Sequence, residues 1–323
     1  VSDFPVPSGY HSPISAAACS KLSQSGLTPP CPFVLNKQKG AYLYDLDGNK
    51  YIDFQMGFGA IPLGHNHRTI TRFIKNGVSV GTSPGLPNKF HPRLIRTFHE
   101  FAEFERIAFY SGILPALAAI FRLVSPKTVG VTSPYLLGRV RGLPVDSMEI
   151  AEKGKSYDIL FYEPVDFSGG MENFSPDGYT SKVKIAVENR TAFRMNKGFT
   201  ASLGAADMIL CADIPANGMQ CAAVLSGGNF APESEWIPLY LAVAMNETLK
   251  YYLRHEIWNY QWYKVPDRLV SVQRCGIFRL KREYPLFDLI SRGVFLDGDT
   301  GFMSVEHSVY DIRRLSHALG EIK

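Results

Sequence analysis

At 323 residues the chain is long enough for one large α/β domain with an appendage, or for two ordinary domains. A composition of 46% hydrophobic and 20% charged residues excludes a disordered or fibrous protein. The net charge of +4, from 34 basic and 30 acidic residues scattered along the chain, gives no ground for a nucleic-acid or membrane partner.

The longest apolar run, Ile113 to Phe121, is far shorter than the ~20 residues of a membrane-spanning helix. The first residues, VSDFPVPSGYHSP, lack a basic patch followed by an apolar stretch, so no secretory signal is expected. The 5 cysteines are odd in number and form no C-x-x-C pair. That argues against a disulfide framework or a zinc ribbon, and a cytoplasmic location with no bound metal is expected.

Residues 1–38 are rich in Pro, Ser and Cys and are expected to form an arm with one short helix. Short apolar runs from Lys39 to Phe54 flank Asp47-Gly48-Asn49, a turn that tolerates positive φ, which predicts a hairpin in a small domain that takes residues 39–64. Helical spacing follows over His67 to Lys75 and Lys89 to Phe104. The middle alternates: strand Ile107 to Tyr110, helix Pro115 to Val124, and strand Val129 to Val131. Further strands are predicted at Ile159 to Tyr162, Val183 to Val187, Met208 to Cys211 and Ala222 to Leu225, before a long helix from Ile237 to His255. This rhythm predicts a mainly parallel sheet flanked by helices, a large α/β domain spanning 65–262. Residues 263–323 complete a small α+β domain: a strand, a helix at Leu286 to Ser291, a short strand after Gly293, and a terminal helix from Tyr310 to Ile322.

Several stretches, in order, carry a likeness to one family: VPSGYHSPISA at 6–16, KGAYLYDLDGNKYIDFQMGFGAIPLGHNH at 39–67, GTSPGLP at 81–87, EPVDFSGGM at 163–171, TAFR at 191–194 and RGVFLDGDTGFMSVEHSVYDI at 292–312. Together they resemble the class III, fold-type-I pyridoxal-phosphate (PLP) aminotransferases, most closely the glutamate-1-semialdehyde aminomutase branch. The resemblance implies the fold-type-I architecture and a homodimer whose cofactor cleft forms at the subunit interface.

Position by position, the resemblance also implies losses. The lysine that would form a Schiff base falls on Asp213 in ADMILCADIPANGMQ, and a carboxylate cannot form an imine. No lysine lies between Lys197 and Lys250. The aspartate that would pair with the pyridinium nitrogen falls on Val187, and Glu188 next to it points to the other face of the strand. The phosphate-binding turn becomes Ser111-Gly112-Ile113-Leu114-Pro115-Ala116, where Pro115 removes an N–H donor. A partner-subunit threonine at the phosphate falls near Glu233. The substrate-carboxylate arginine becomes Ser15, and the aromatic-His pair near the ring becomes Tyr135-Leu136-Leu137-Gly138.

Other features have plainer readings. His65 and His67, at i and i+2 with no third ligand nearby, are read as a structural turn at a helix start rather than a metal pair, and His307 likewise. Asp213, Glu188, Glu163 and Asp166 can converge at the carboxyl ends of parallel strands, where ligands bind in such sheets, or can face solvent as strand-end residues. Asp299 is read either as lying beside a site or as a turn residue. Arg139 and Arg141, near Lys127 and Lys155, are read as a solvated loop rather than a small anion patch, and the aromatic run Tyr251 to Tyr263 as an interface or inter-domain seam rather than a ligand-stacking surface.

The leading expectation is therefore an aminotransferase-like protein with a degenerate site and no cofactor. Its cleft would take another small molecule or serve a cofactor-independent reaction, with Ser111, Gly112, Tyr135, Glu163, Glu188, Asp213 and Asp299 as candidate ligand-binding residues. Two alternatives stand beside it: a non-catalytic partner that forms a heterodimer with an active homologue, and an enzyme that uses PLP non-covalently.

Overall fold

The computed structural model describes residues 12–82, 85–140, 143, 145–167 and 170–321. Arg141, Ile322, the first residues of the 6–16 stretch and parts of the 81–87 and 163–171 stretches lie outside them. The chain divides into two units, one made of the residues up to His67 and from Tyr260 onward, the other of Arg68–Asn259.

In the second unit, seven strands form one sheet: β4 (Arg106–Tyr110), β5 (Thr128–Val131), β6 (Ser147–Ile150), β7 (Ser156–Tyr162), β8 (Thr180–Val187), β9 (Met208–Ala212) and β10 (Ala222–Ser226). Their order is β4-β10-β9-β8-β7-β5-β6. Only β10 runs antiparallel to its neighbours, so the mainly parallel sheet expected from the alternating runs is present. Every residue of β9 and β10 is buried, which is why these strands read as unbroken apolar runs. Val129, Ile159, Phe161, Ile185, Val187, Leu210 and Val224 form a core with Leu117 and Ile120 of helix α4 (Ile113–Val124). Helix α6 (Leu239–His255) packs against α2 (Arg68–Val80) and α3 (Phe90–His99).

The second predicted helix ends at His99 instead of Phe104, because Glu100 closes it and β4 begins at Arg106. In this unit, two elements of regular helix or strand have no counterpart in the sequence reading, and in the other unit β1 (Leu35–Lys39), one strand of the β11–β12 pair (Val270–Arg274, Ile277–Leu280) and β14 (Thr300–Phe302) also lack one. Helix α5 (Pro134–Val140) has 7 residues and β6 has 4, too few for a period to show.

In the first unit, α1 (Pro13–Gln24) is the short helix of the arm. Strands β1 (Leu35–Lys39), β2 (Tyr42–Asp45) and β3 (Lys50–Asp53) pair antiparallel, and β13 (Val294–Phe295) joins β3 in parallel. The predicted hairpin turn is held by buried Asp45, whose carboxylate accepts the N–H groups of Asp47 (3.0 Å) and Asn49 (2.8 Å) and the Tyr51 hydroxyl (2.7 Å). A second sheet joins β11 (Val270–Arg274), β12 (Ile277–Leu280) and β14 (Thr300–Phe302). Helices α7 (Leu286–Ser291) and α8 (Val309–Glu321) cover the core of Ile52, Phe54, Phe278, Leu289 and Leu315. His65 lies in an isolated antiparallel bridge to Gly40 and not in a turn, its Nε2 2.7 Å from the buried Asp53 carboxylate. Among the described residues, no helix is long and apolar enough to cross a membrane, and no group of His, Cys, Asp or Glu is placed to hold a metal ion.

Candidate functional site

Three parallel neighbours, β7, β8 and β9, each deliver an acidic residue just past the carboxyl end: Glu163, Glu188 and Asp213. The sheet thus brings the predicted acids to one end, but each has its own partners. Glu163 accepts two bonds from Arg190, Nε at 2.7 Å and Nη2 at 2.6 Å, and one from the Ser133 hydroxyl at 2.8 Å. Glu188 accepts from the Thr191 hydroxyl (2.8 Å), the Ala201 N–H (2.7 Å) and the Thr200 N–H. Complete burial raises the Glu188 carboxyl to about 7 despite those donors. Neither acid faces solvent as strand-end residues commonly do; Glu163 and Glu188 are both buried. Asp166 sits in the turn after β7, its N–H bonded to the Glu172 carbonyl at 2.9 Å.

Asp213 occupies a sharp bend. Its φ of 61° lies in the region that side-chain-bearing residues rarely adopt, and its carbonyl accepts the N–H groups of Ala216 (3.1 Å) and Gly218 (3.0 Å). The bend turns the carboxylate toward α5, where Arg139 Nη2 meets Oδ2 at 2.7 Å. Burial pushes the Asp213 carboxyl up, and Arg139 opposes the shift. The reading of Arg139 as part of a solvated loop is corrected: it lies in the last turn of a helix and neutralises Asp213.

Ser111, Gly112, Pro115, Arg139, Asp213 and Gln220 line one cavity of about 480 Å³, a small-molecule volume. Of the predicted ligand-binding residues, Ser111, Gly112 and Asp213 meet here. Tyr135 does not line it: the Arg190 guanidinium covers its ring at 3.8 Å, and its hydroxyl accepts from Asn189 at 2.7 Å. Phe167 stacks on the same guanidinium at 4.0 Å. Val187 is part of the core. Asp299 belongs to the other unit, where Arg279 Nε bonds it at 2.5 Å.

The N-terminus of α4 already holds an anion of the chain's own. Both the N–H and the hydroxyl of Ser111 donate to Glu235 Oε2, at 2.9 and 3.1 Å. A strap ties that glutamate to β4: Glu235 N–H to the Phe109 carbonyl (2.9 Å), Phe109 N–H to Ser234 Oγ (2.9 Å), and the Tyr110 hydroxyl to the Glu233 carbonyl (2.7 Å). The glutamate expected near this position was Glu233. The strap instead presents Glu235, and Glu233 supplies only its backbone.

The family model for class III aminotransferases matches residues 24–107. The glutamate-1-semialdehyde 2,1-aminomutase of Alkaliphilus metalliredigens is 37% identical over 134 residues, 42% of this chain and 26% of that protein. That of Saccharolobus islandicus is 31% identical over 116 residues, 36% of this chain and 25% of that protein. The chain thus spans about a quarter of the length of the curated relatives it matches. Among solved structures, a transaminase with PLP bound aligns over 95% of this chain and 96% of its own, with a TM-score of 0.70 at 15% identity. An omega-transaminase from Sphaerobacter thermophilus aligns over 96% of each chain, with a TM-score of 0.69 at 14% identity. The fold is that of the fold-type-I PLP transaminases.

These likenesses correct the expectation that no cofactor goes with this chain, because the architecture is one that holds PLP in a solved transaminase. The residues present do not fit a tethered form of that group. Among the described residues no lysine lines the cavity, the position the resemblance gives to the amine carries an ion-paired carboxylate, and Glu235 takes the Ser111 donors at the helix terminus.

Proposed function

We propose that this chain, similar to the class III aminotransferases at residues 24–107 and built on the transaminase fold, has lost lysine-tethered transamination and aminomutation. Its cavity at the end of β9 binds a small polar molecule reversibly, and PLP is the first ligand to test there. The Arg139–Asp213 pair carries this reading: a carboxylate held at 2.7 Å by a guanidinium, where an amine is needed, cannot close an imine. Ser111, Gln220 and the guanidinium offer hydrogen bonds, and Ile113, Leu114 and Pro115 an apolar wall, the mixture that small-molecule sites use. Following the resemblance, the chain acts as a homodimer, and its five free cysteines suit a reducing compartment.

Asp213→Ala tests the cavity. With PLP as titrant, followed by calorimetry, the substitution changes affinity by about tenfold, since it frees Arg139 from its partner. The melting temperature moves by only a few degrees, because the pair is partly open to solvent. Equal affinity in the two proteins contradicts the assignment of the cavity.

A further inference from the structure

The C-terminal helix α8 carries a ridge that parts two adjoining cavities, of about 510 and 550 Å³. Val309, Ile312, Arg313 and Ser316 recur at i, i+3, i+4 and i+7, so one face of the helix walls the first cavity, opposite Tyr263, Lys264, Pro266 and Arg268. Tyr310, Arg313, Arg314 and His317 form the adjacent face and, with Arg292, wall the second. Arg313 and His317 border both. No acidic side chain lines either cavity among the described residues. The neighbouring Asp267 lies outside both linings and accepts from Gln273 at 3.2 Å. Lys264, Arg268, Arg313 and Arg314 are exposed, and Arg314 Nη2 donates to the Arg292 carbonyl at 3.4 Å.

Like charges gathered in a concave surface repel one another and focus a positive potential outward, a cost that an anionic ligand removes. Guanidinium groups match phosphate oxygens through paired N–H donors, which a point charge does not do. Each cavity also has an exposed tyrosine at its rim, Tyr263 at 40% and Tyr310 at 63% exposure, whose ring faces can stack on a flat heterocycle. Both volumes suit a small molecule.

We propose that this ridge is a binding site for a small aromatic diphosphate of the nucleoside-diphosphate class: Arg313 and Arg314 on the phosphates, Lys264 and Arg268 completing the charge, and a tyrosine on the ring. The site is separate from the Arg139–Asp213 cavity and does not depend on the function assigned there.

Calorimetric titration of the full chain at low salt with ADP, and separately with inorganic pyrophosphate, tests it. Wild type binds both, and Arg313→Ala weakens both by about tenfold, the loss of one charged hydrogen-bonding group. Tyr263→Ala or Tyr310→Ala weakens ADP alone. Arg313 is exposed, so its substitution leaves the fold intact. No saturable binding of either probe overturns the proposal, as does equal binding by wild type and Arg313→Ala. Pyrophosphate binding with no effect of either tyrosine overturns the aromatic half of the assignment.

Discussion

Glu188 shows how far burial can move a single carboxyl. Raised from 4.5 to about 7, it binds its proton more tightly in the folded chain than in the unfolded one. Its stabilising contribution is therefore complete below about pH 4.5 and is lost as pH rises through 7, on the order of 3 kcal/mol across that window. Glu188→Gln removes this dependence and keeps the geometry: the amide oxygen accepts from Thr200 and Ala201 while the amide nitrogen donates to Thr191 Oγ1. Urea midpoints measured from pH 4.5 to 8 should fall more steeply in wild type than in the variant, and parallel curves contradict the assignment. The type of residue at 188 was plain in the sequence. Its burial was not, because the groups that cage it lie at 191, 200 and 201, in a segment without regular structure.

At the scale of elements, that cage depends on a bend at Gly198. Its φ of 91° and the Phe101 carbonyl oxygen, 2.4 Å from where a Cβ would stand, leave no room for a side chain. Because the Gly198 carbonyl accepts the Phe193 N–H at 2.6 Å, a shift here disturbs the whole 193–201 segment. Gly198→Ala should cost about 2 kcal/mol or more in chemical denaturation, and a loss under 0.5 kcal/mol shows that the bend relaxes freely.

Elements with strong local chemistry were legible in the sequence. The Asp47-Gly48-Asn49 turn, the doubly buried runs of β9 and β10, and the α6 helix all declare themselves within a few residues. α5 did not, since it has only 7 residues, and with it went the role of Arg139, which meets a partner 74 positions away. That pairing follows from sheet order and a positive-φ bend, neither of which a local pattern contains. The Glu235 contact was missed for a related reason: an irregular strap brings it to α4 across 124 positions.

Over the whole molecule, two pairs of opposite charges close at the sheet's carboxyl end, Arg190 with Glu163 and Arg139 with Asp213, and the Ser111 hydroxyl donates to Glu235 beside them. The strands themselves are held by the apolar core and not by these groups. The most direct measurement is intact-protein and peptide mass spectrometry after incubation with PLP and reduction with borohydride. The account predicts an unmodified cavity, with any label confined to surface lysines and equal in Asp213→Ala. A pyridoxyl adduct on a side chain lining the Ser111–Arg139–Asp213 cavity contradicts it.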